Sequence, residues 1–194
     1  VACNTATAAG LDDLREELPV PVIDVIAPGA KALVTTTSTG RVGVIGTGDE
    51  GNVLIGAINP DYVQVTAIAD IRPYNVHRAF HGDWASPAAL AARQGLMAVY
   101  GWKSEDEARK HVKVYDAKNG GYKELLKDPN IEAVIIGLPL HLHAPVACEA
   151  MKAGKHVLTE KLMAHNVAQC KVMGRHPDAD HTCSSGKNFR NHPA

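Results

Sequence analysis

No apolar run in this 194-residue chain reaches the roughly 18–20 residues that a helical membrane span needs. No N-terminal stretch reads as a secretory signal. Net charge is small, at -1, so neither nucleic acid nor an anionic membrane is expected as a partner. The four cysteines, Cys3, Cys148, Cys170 and Cys183, form no C-x-x-C pair and no even framework. That usage points to reduced thiols and a cytoplasmic location. Internal repeats and low-complexity tracts are absent too. What remains, 45% hydrophobic and 21% charged residues, is ordinary globular composition. A chain of this length can bury a sizeable core as one domain with additions. It opens at Val-Ala-Cys rather than Met, and a truncated start is expected.

Strand and helix patterns alternate along the chain. A helical pattern over 5–17 sets Leu11, Leu14 and Leu18 against Asp12, Asp13, Glu16 and Glu17, and Pro19 and Pro21 end it. Val20–Ile26 reads as a buried strand, Ala30–Thr37 as a short helix and Ser38-Thr39-Gly40 as a loop. Strands are expected at Arg41–Ile45, Tyr62–Ala69, Val112–Tyr115, Glu132–Gly137 and His156–Thr159. Helices are expected at Glu50–Ile58, across most of 71–110, and at Tyr122–Leu126, Ala144–Ala153 and Val167–Met173. Residues 176–194 lose periodicity. Repeated strand–helix units imply an α/β fold with a parallel sheet covered on both faces.

Residues 41–51 read Arg-Val-Gly-Val-Ile-Gly-Thr-Gly-Asp-Glu-Gly. This is a strand, a G-x-G-x-x-G turn (Gly46, Gly48, Gly51) and a helix start, and the next strand ends in Asp70. That order suits a dinucleotide. The first glycine permits the tight turn, the second lets the backbone approach a pyrophosphate, and the third lets helix and strand pack closely. Free N–H groups at the helix start face the phosphates, and the helix dipole adds ~0.3–1 kcal/mol per charge. Thr47, Asp49 and Glu50 lie within this loop. Asp49 and Glu50 bring negative charge to a phosphate site, which opposes the reading. Asp70 is placed to accept both hydroxyls of an adenosine ribose and to repel a 2′-phosphate, so NAD is favoured. Arg72 nearby keeps NADP open.

Two later stretches follow strand ends, where open α/β sheets place ligands. One is Gly137-Leu138-Pro139-Leu140-His141-Leu142-His143-Ala144. The other is Thr159-Glu160-Lys161-Leu162-Met163-Ala164, the end of a run beginning at Ala150. With the glycine loop, residues 41–175 resemble the Gfo/Idh/MocA family of NAD(P)-dependent oxidoreductases. The resemblance implies a Rossmann-like doubly wound parallel sheet, with the family's substrate domain missing or truncated. It implies hydride transfer between nicotinamide and a small sugar- or polyol-like hydroxyl. Glu160 would contact the nicotinamide ribose. Lys161 would orient and polarise the reacting hydroxyl, as the one catalytic residue in this stretch. Pro139 and His143 would match the family's cofactor-loop positions. Leu162 and Leu140 stand where the family usually has Pro and Asn. Taken alone, Lys161 reads as a solvated lysine. No third ligand accompanies His141 and His143, which would alternate at a strand end, so no metal is expected.

Val1-Ala2-Cys3-Asn4-Thr5-Ala6-Thr7, Pro21–Ile26 and Pro28-Gly29-Ala30-Lys31 resemble glutamate racemase, in a run that continues to Thr47. In that family a cysteine of this motif exchanges the Cα proton, and the adjacent Asn and Thr bind substrate. The second cysteine motif and the N-terminal aspartate motif are missing. The alternative reading of Cys3 is a small buried residue. The expected organisation is a racemase-like segment over 1–40, a dinucleotide-binding domain over 41–175 and an irregular tail over 176–194. His176, His181, Cys183 and His192 in the tail fit no zinc module. A racemase-type isomerase and a non-catalytic nucleotide-binding fragment stay as alternatives, and a homo-oligomer stays open.

Overall fold

In the computed structural model, residues 37–175 and the backbone of Cys183–Ser185 are described. The expected elements over 5–17, Val20–Ile26 and Ala30–Thr37 lie outside them, apart from Thr37 itself. So do Cys3, Asn4, Thr5 and the tail histidines.

Six parallel strands form one sheet in the order β3-β2-β1-β4-β5-β6. They are β1 (Arg41–Ile45), β2 (Gln64–Ala69), β3 (Lys113–Tyr115), β4 (Ala133–Ile136), β5 (His156–Thr159) and β6 (Cys183–Ser185). β1 pairs with β2 on one side and β4 on the other. The order therefore reverses between β1 and β4, and a crevice opens beyond their carboxyl ends.

The helices are α1 (Asp49–Gly56), α2 (Pro73–His81), α3 (Pro87–Ala92), α4 (Leu96–Tyr100), α5 (Glu105–His111), α6 (Tyr122–Lys127), α7 (Leu140–Lys152) and α8 (Val167–Gly174). Successive strand side chains point to opposite faces, and here both faces are covered. Val42, Val44, Ala133 and Ile135 pack with Ile55, Phe80 and Leu96 on one face. Ile45, Val134 and Ile136 pack with Leu125, Val146 and Met151 on the other. None of the described helices is long and apolar enough to cross a membrane.

Two expectations need correction. α7 begins at Leu140, not Ala144. Pro145 lies inside the helix, and His141 and His143 occupy its first turns rather than a strand end. The second correction is β6, which pairs with β5 inside the stretch read as irregular. A Cys-Ser-Ser segment has no apolar alternation to announce a strand; its position beside β5 is set by backbone pairing.

The entry into β1 is held by Glu132, just before β4. Its carboxylate accepts the backbone N–H and hydroxyl of Ser38 (2.7 and 2.6 Å) and those of Thr39 (3.1 and 2.9 Å). The Ser38 hydroxyl, followed by the Thr39 donors and the Ser38 N–H, holds this carboxyl down to about 2, from an ordinary 4.5. A depressed carboxylate stabilises the fold fully above its ordinary value, and that contribution is lost as pH falls through the folded value. Glu132→Gln is therefore expected to melt below the native chain at neutral pH. The gap should close as the pH falls from 4.5 toward 2, as a series of melting curves against pH would show.

Candidate functional site

The crevice is built by the turn between β1 and α1. Gly46 has φ +84°, a conformation that L side chains rarely adopt. A Cβ on Gly51 would lie 2.0 Å from the Gly46 carbonyl oxygen, and one on Gly46 would lie 2.6 Å from that of Gly137. The turn, the start of α1 and the end of β4 thus meet backbone to backbone. Gly48 is different. A Cβ there would meet only Asn75 Nδ2, at 3.9 Å, so it would project into open space at the mouth of the crevice. No side chain caps α1 at Gly48, and the first amides of a helix are unpaired unless capped. A backbone cradle with open space above it, at a helix start, fits an anionic phosphate group.

Buried Asn52 braces the cradle by donating to the carbonyls of Thr47 and Gly48. Asp70 braces it from β2. Its Oδ2 accepts the Thr47 N–H (2.8 Å), the Thr47 hydroxyl (3.3 Å) and Asn75 Nδ2 (3.1 Å), and its Oδ1 accepts the Arg72 N–H (2.8 Å). A carboxylate has about four lone-pair sites. Asp70 therefore first organises the glycine turn, and a ribose hydroxyl would replace one of the side-chain donors. Arg72 is exposed beside it.

The negative charge of the loop is offset by residues that sequence reasoning missed. Asp49 Oδ1 lies 2.7 Å from Arg78 Nη1. Arg78 and Arg93 both reach the buried Asp83 Oδ2, at 3.0 and 3.1 Å, and Arg93 Nε also donates to the Asp49 carbonyl at 3.2 Å. The Ala85 N–H, and then the two guanidinium groups, hold the Asp83 carboxyl below the usual carboxylate range against the opposing effect of burial. The network draws Asp49 toward Arg78 and secures the start of α1.

Across the crevice lie the ends of β4 and β5. Pro139 is the exposed residue before α7, and Lys161 is exposed just after β5. The Lys161–Leu162 peptide is cis. Glu160 is buried, and its carboxyl is pushed above the usual range by that burial and then by the charge of Glu50. The charge of Glu50 thus acts on Glu160, although 110 residues of sequence separate them. His143 is buried too. Its Nδ1 lies 2.8 Å from the Leu162 carbonyl and its Nε2 lies 2.7 Å from the Leu138 carbonyl. Both ring nitrogens are thus engaged within the protein, where they join the loops after β4 and β5. A neutral imidazole donates to one of the two carbonyls and an imidazolium to both.

The structure thus brings Gly46, Thr47, Gly48, Asp49, Glu50, Gly51, Asp70, Pro139, His143, Glu160 and Lys161 around one crevice, with Arg72 on its rim. A family model described as "Oxidoreductase family, NAD-binding Rossmann fold" matches residues 40–183. Among solved structures, the fold is similar to scyllo-inositol dehydrogenase from Lactobacillus casei with bound NAD(H) and scyllo-inositol. That match has a TM-score of 0.52 and 19% identity, over 77% of this chain and 36% of that one. It is also similar to the WlbA dehydrogenase from Bordetella pertussis in complex with NADH and UDP-GlcNAcA, with a TM-score of 0.51 and 23% identity over 76% of this chain and 34% of that one. Both likenesses concern the fold. A second, short similarity is to glutamate racemases. The Oceanobacillus iheyensis enzyme is 58% identical over 57 residues, which is 29% of this chain and 20% of that protein. The Staphylococcus carnosus enzyme is 49% identical over 76 residues, or 36% and 27%. The chain therefore spans about a quarter of the racemases' length and about a third of the dehydrogenases' length.

Proposed function

The chain belongs to the Gfo/Idh/MocA oxidoreductase family, with its NAD-binding Rossmann fold, and from that premise we propose how its crevice works. Residues 46–51 hold the pyrophosphate of the nicotinamide dinucleotide. Asp70 holds the adenosine ribose and favours NAD, while Arg72 is the group that would meet a 2′-phosphate. Glu160 holds the nicotinamide ribose. Lys161 lies beside the reacting hydroxyl of a sugar- or polyol-like substrate. The observation that carries this reading is the backbone cradle at Gly48, with open space above it and uncapped amides below.

When bound, the nicotinamide ring supplies the hydride acceptor or donor. The chain's own residues position the reactants. The glycine turn fixes the phosphates, and its rigidity derives from Asn52 and Asp70. His143 keeps the two loops that carry Pro139 and Lys161 in register. Lys161 hydrogen-bonds the substrate oxygen and polarises its bond to carbon, and as the hydride leaves that carbon the hydroxyl proton passes to a base or to solvent.

The test is hydride transfer from a panel of cyclic polyols and nucleotide-linked sugars to NAD, followed by nicotinamide absorbance. Turnover is expected to fall about 100-fold in Lys161→Ala, with NADH affinity unchanged. Turnover insensitive to Lys161 would remove its proposed role. A panel with no turnover, in a chain that binds NADH, would show that these residues do not suffice for hydride transfer and would leave the dinucleotide site standing. A cysteine-based racemase is the weaker reading, because it rests on Cys3 without a second cysteine motif.

A further inference from the structure

Three side chains outside the crevice stand together on the crossover between β2 and β3. His77 and His81 lie four residues apart on α2, so they share a helix face. Their rings stack with centroids 4.2 Å apart. Glu105, in the first turn of α5, approaches from the neighbouring helix, and its Oε2 lies 2.8 Å from His81 Nε2. One ligand atom from each of the three lies within 4.8 Å of the others. His77 is exposed and the other two are half-buried, so an ion from solvent can reach them.

Two imidazole nitrogens and one carboxylate oxygen are the donor set of a borderline divalent ion. Magnesium and calcium favour all-oxygen shells. Tetrahedral zinc, with bonds of about 2.0–2.2 Å, sets its ligand atoms roughly 3.3 Å apart, which modest side-chain rotations reach from the present spacing. We propose that His77, His81 and Glu105 form a site for a divalent transition metal of the zinc class, with water completing the shell.

The surroundings are those of a supported ligand set. Arg109 donates from Nε and Nη2 to Glu105 Oε1, at 2.6 Å each, which fixes the carboxylate and leaves Oε2 toward the histidines. Ligating carboxylates are commonly held in this way by an outer partner. The guanidinium lies over the Phe80 ring, 5.0 Å from its centroid, so its opposing charge sits on the far oxygen. Trp84 Nε1 donates to the His81 carbonyl at 2.9 Å and secures the end of α2. Pro73 opens α2 just after Asp70, and His77 and His81 lie about one and two turns further on. The site thus stands apart from the crevice, and the ion would join α2 to α5. The expectation of no metal rested on the histidines of the tail and of the stretch 141–143, not on these.

The experiment is titration of the full chain with Co²⁺, followed by its visible ligand-field absorption and by calorimetry. The expected result is one equivalent bound, displaced by Zn²⁺ but not by Mg²⁺, and a melting temperature that rises with metal concentration. His77→Ala, at an exposed position, and Glu105→Gln, which keeps the side chain's size, are each expected to lose this equivalent while NADH binding stays unchanged. No stoichiometric binding, or binding that survives His77→Ala, would overturn the assignment. The tail histidines would then be the place to look.

Discussion

Gly48→Val is expected to abolish NADH binding while the chain melts at its native temperature. The added side chain meets no protein atom closer than 3.9 Å at its Cβ, and the native φ of -69° suits any L residue. Folding therefore has little reason to change. The new side chain instead fills the space where the cradle would receive a pyrophosphate. Affinity should drop by about 100-fold or more, ~2.7 kcal/mol of lost binding. Gly51→Ala is the contrasting variant. Its Cβ would lie 2.0 Å from a backbone oxygen that cannot rotate away, so overpacking of at least ~1–3 kcal/mol falls on the fold itself. Paired melting curves and NADH titrations would separate the two. A Gly48→Val chain that binds NADH normally would move the phosphates elsewhere.

Asp83→Ala is expected to be strongly destabilising. Asp83 is buried between two arginines, one of them, Arg78, buried as well. Removing one partner from a buried pair costs up to about 3–5 kcal/mol, and here only the exposed Asp49 would still face Arg78. In a chain of this size each kcal/mol lowers the melting temperature by roughly 2–4 °C. NADH binding should weaken too, because both arginines also hold Asp49 at the start of α1. Asp83→Asn keeps hydrogen-bonding capacity and should cost less. The pH dependence has a definite sign. The carboxyl is held below its ordinary value, so its contribution is complete above about 3.9 and is lost as pH falls through the lower folded value. The difference between native chain and variant should therefore shrink in acid. A difference independent of pH would mean that Asp83 acts through packing alone.

The parts legible in the sequence were those with a fixed spacing. G-x-G-x-x-G after a strand placed Gly46, Gly48 and Gly51, and Asp70 at the end of β2 fell beside them. The apolar runs placed β1, β2 and β4, because strands buried on both faces read as nearly continuous hydrophobic segments. The network of Asp49, Arg78, Asp83 and Arg93 was not legible. In a polar, mostly helical stretch such charges look like a solvated face, and only the fold brings Asp83 between two arginines. His77 and His81 were not singled out in the sequence, and Glu105 joins His81 from 24 residues away. His143, expected in the cofactor loop, also joins two loops through carbonyls at Leu138 and Leu162, a contact that no motif encodes. The start of α7 was placed too late because no side chain caps the helix at Pro139 to mark its first turn.

One chain carries two unrelated likenesses, and their weights differ. The oxidoreductase family covers residues 40–183, including every residue of the crevice. The racemase likeness is closer in identity but short. The Staphylococcus carnosus match takes up 36% of the chain, so it runs past Thr47 into the segment from residue 40 that the oxidoreductase family also covers. β1 is the central strand of the sheet between β2 and β4, so the oxidoreductase partners on both sides decide its role in the described fold.

A working dinucleotide crevice is what direct titration of the chain with NADH tests. Energy transfer from Trp84 and Trp102 to the nicotinamide, together with the melting temperature, would report binding. The prediction is saturable binding of one equivalent and, at ligand 100 times above Kd, ~2.7 kcal/mol of added stability. A chain that melts cooperatively yet shows neither saturation nor a shift in melting temperature would contradict it.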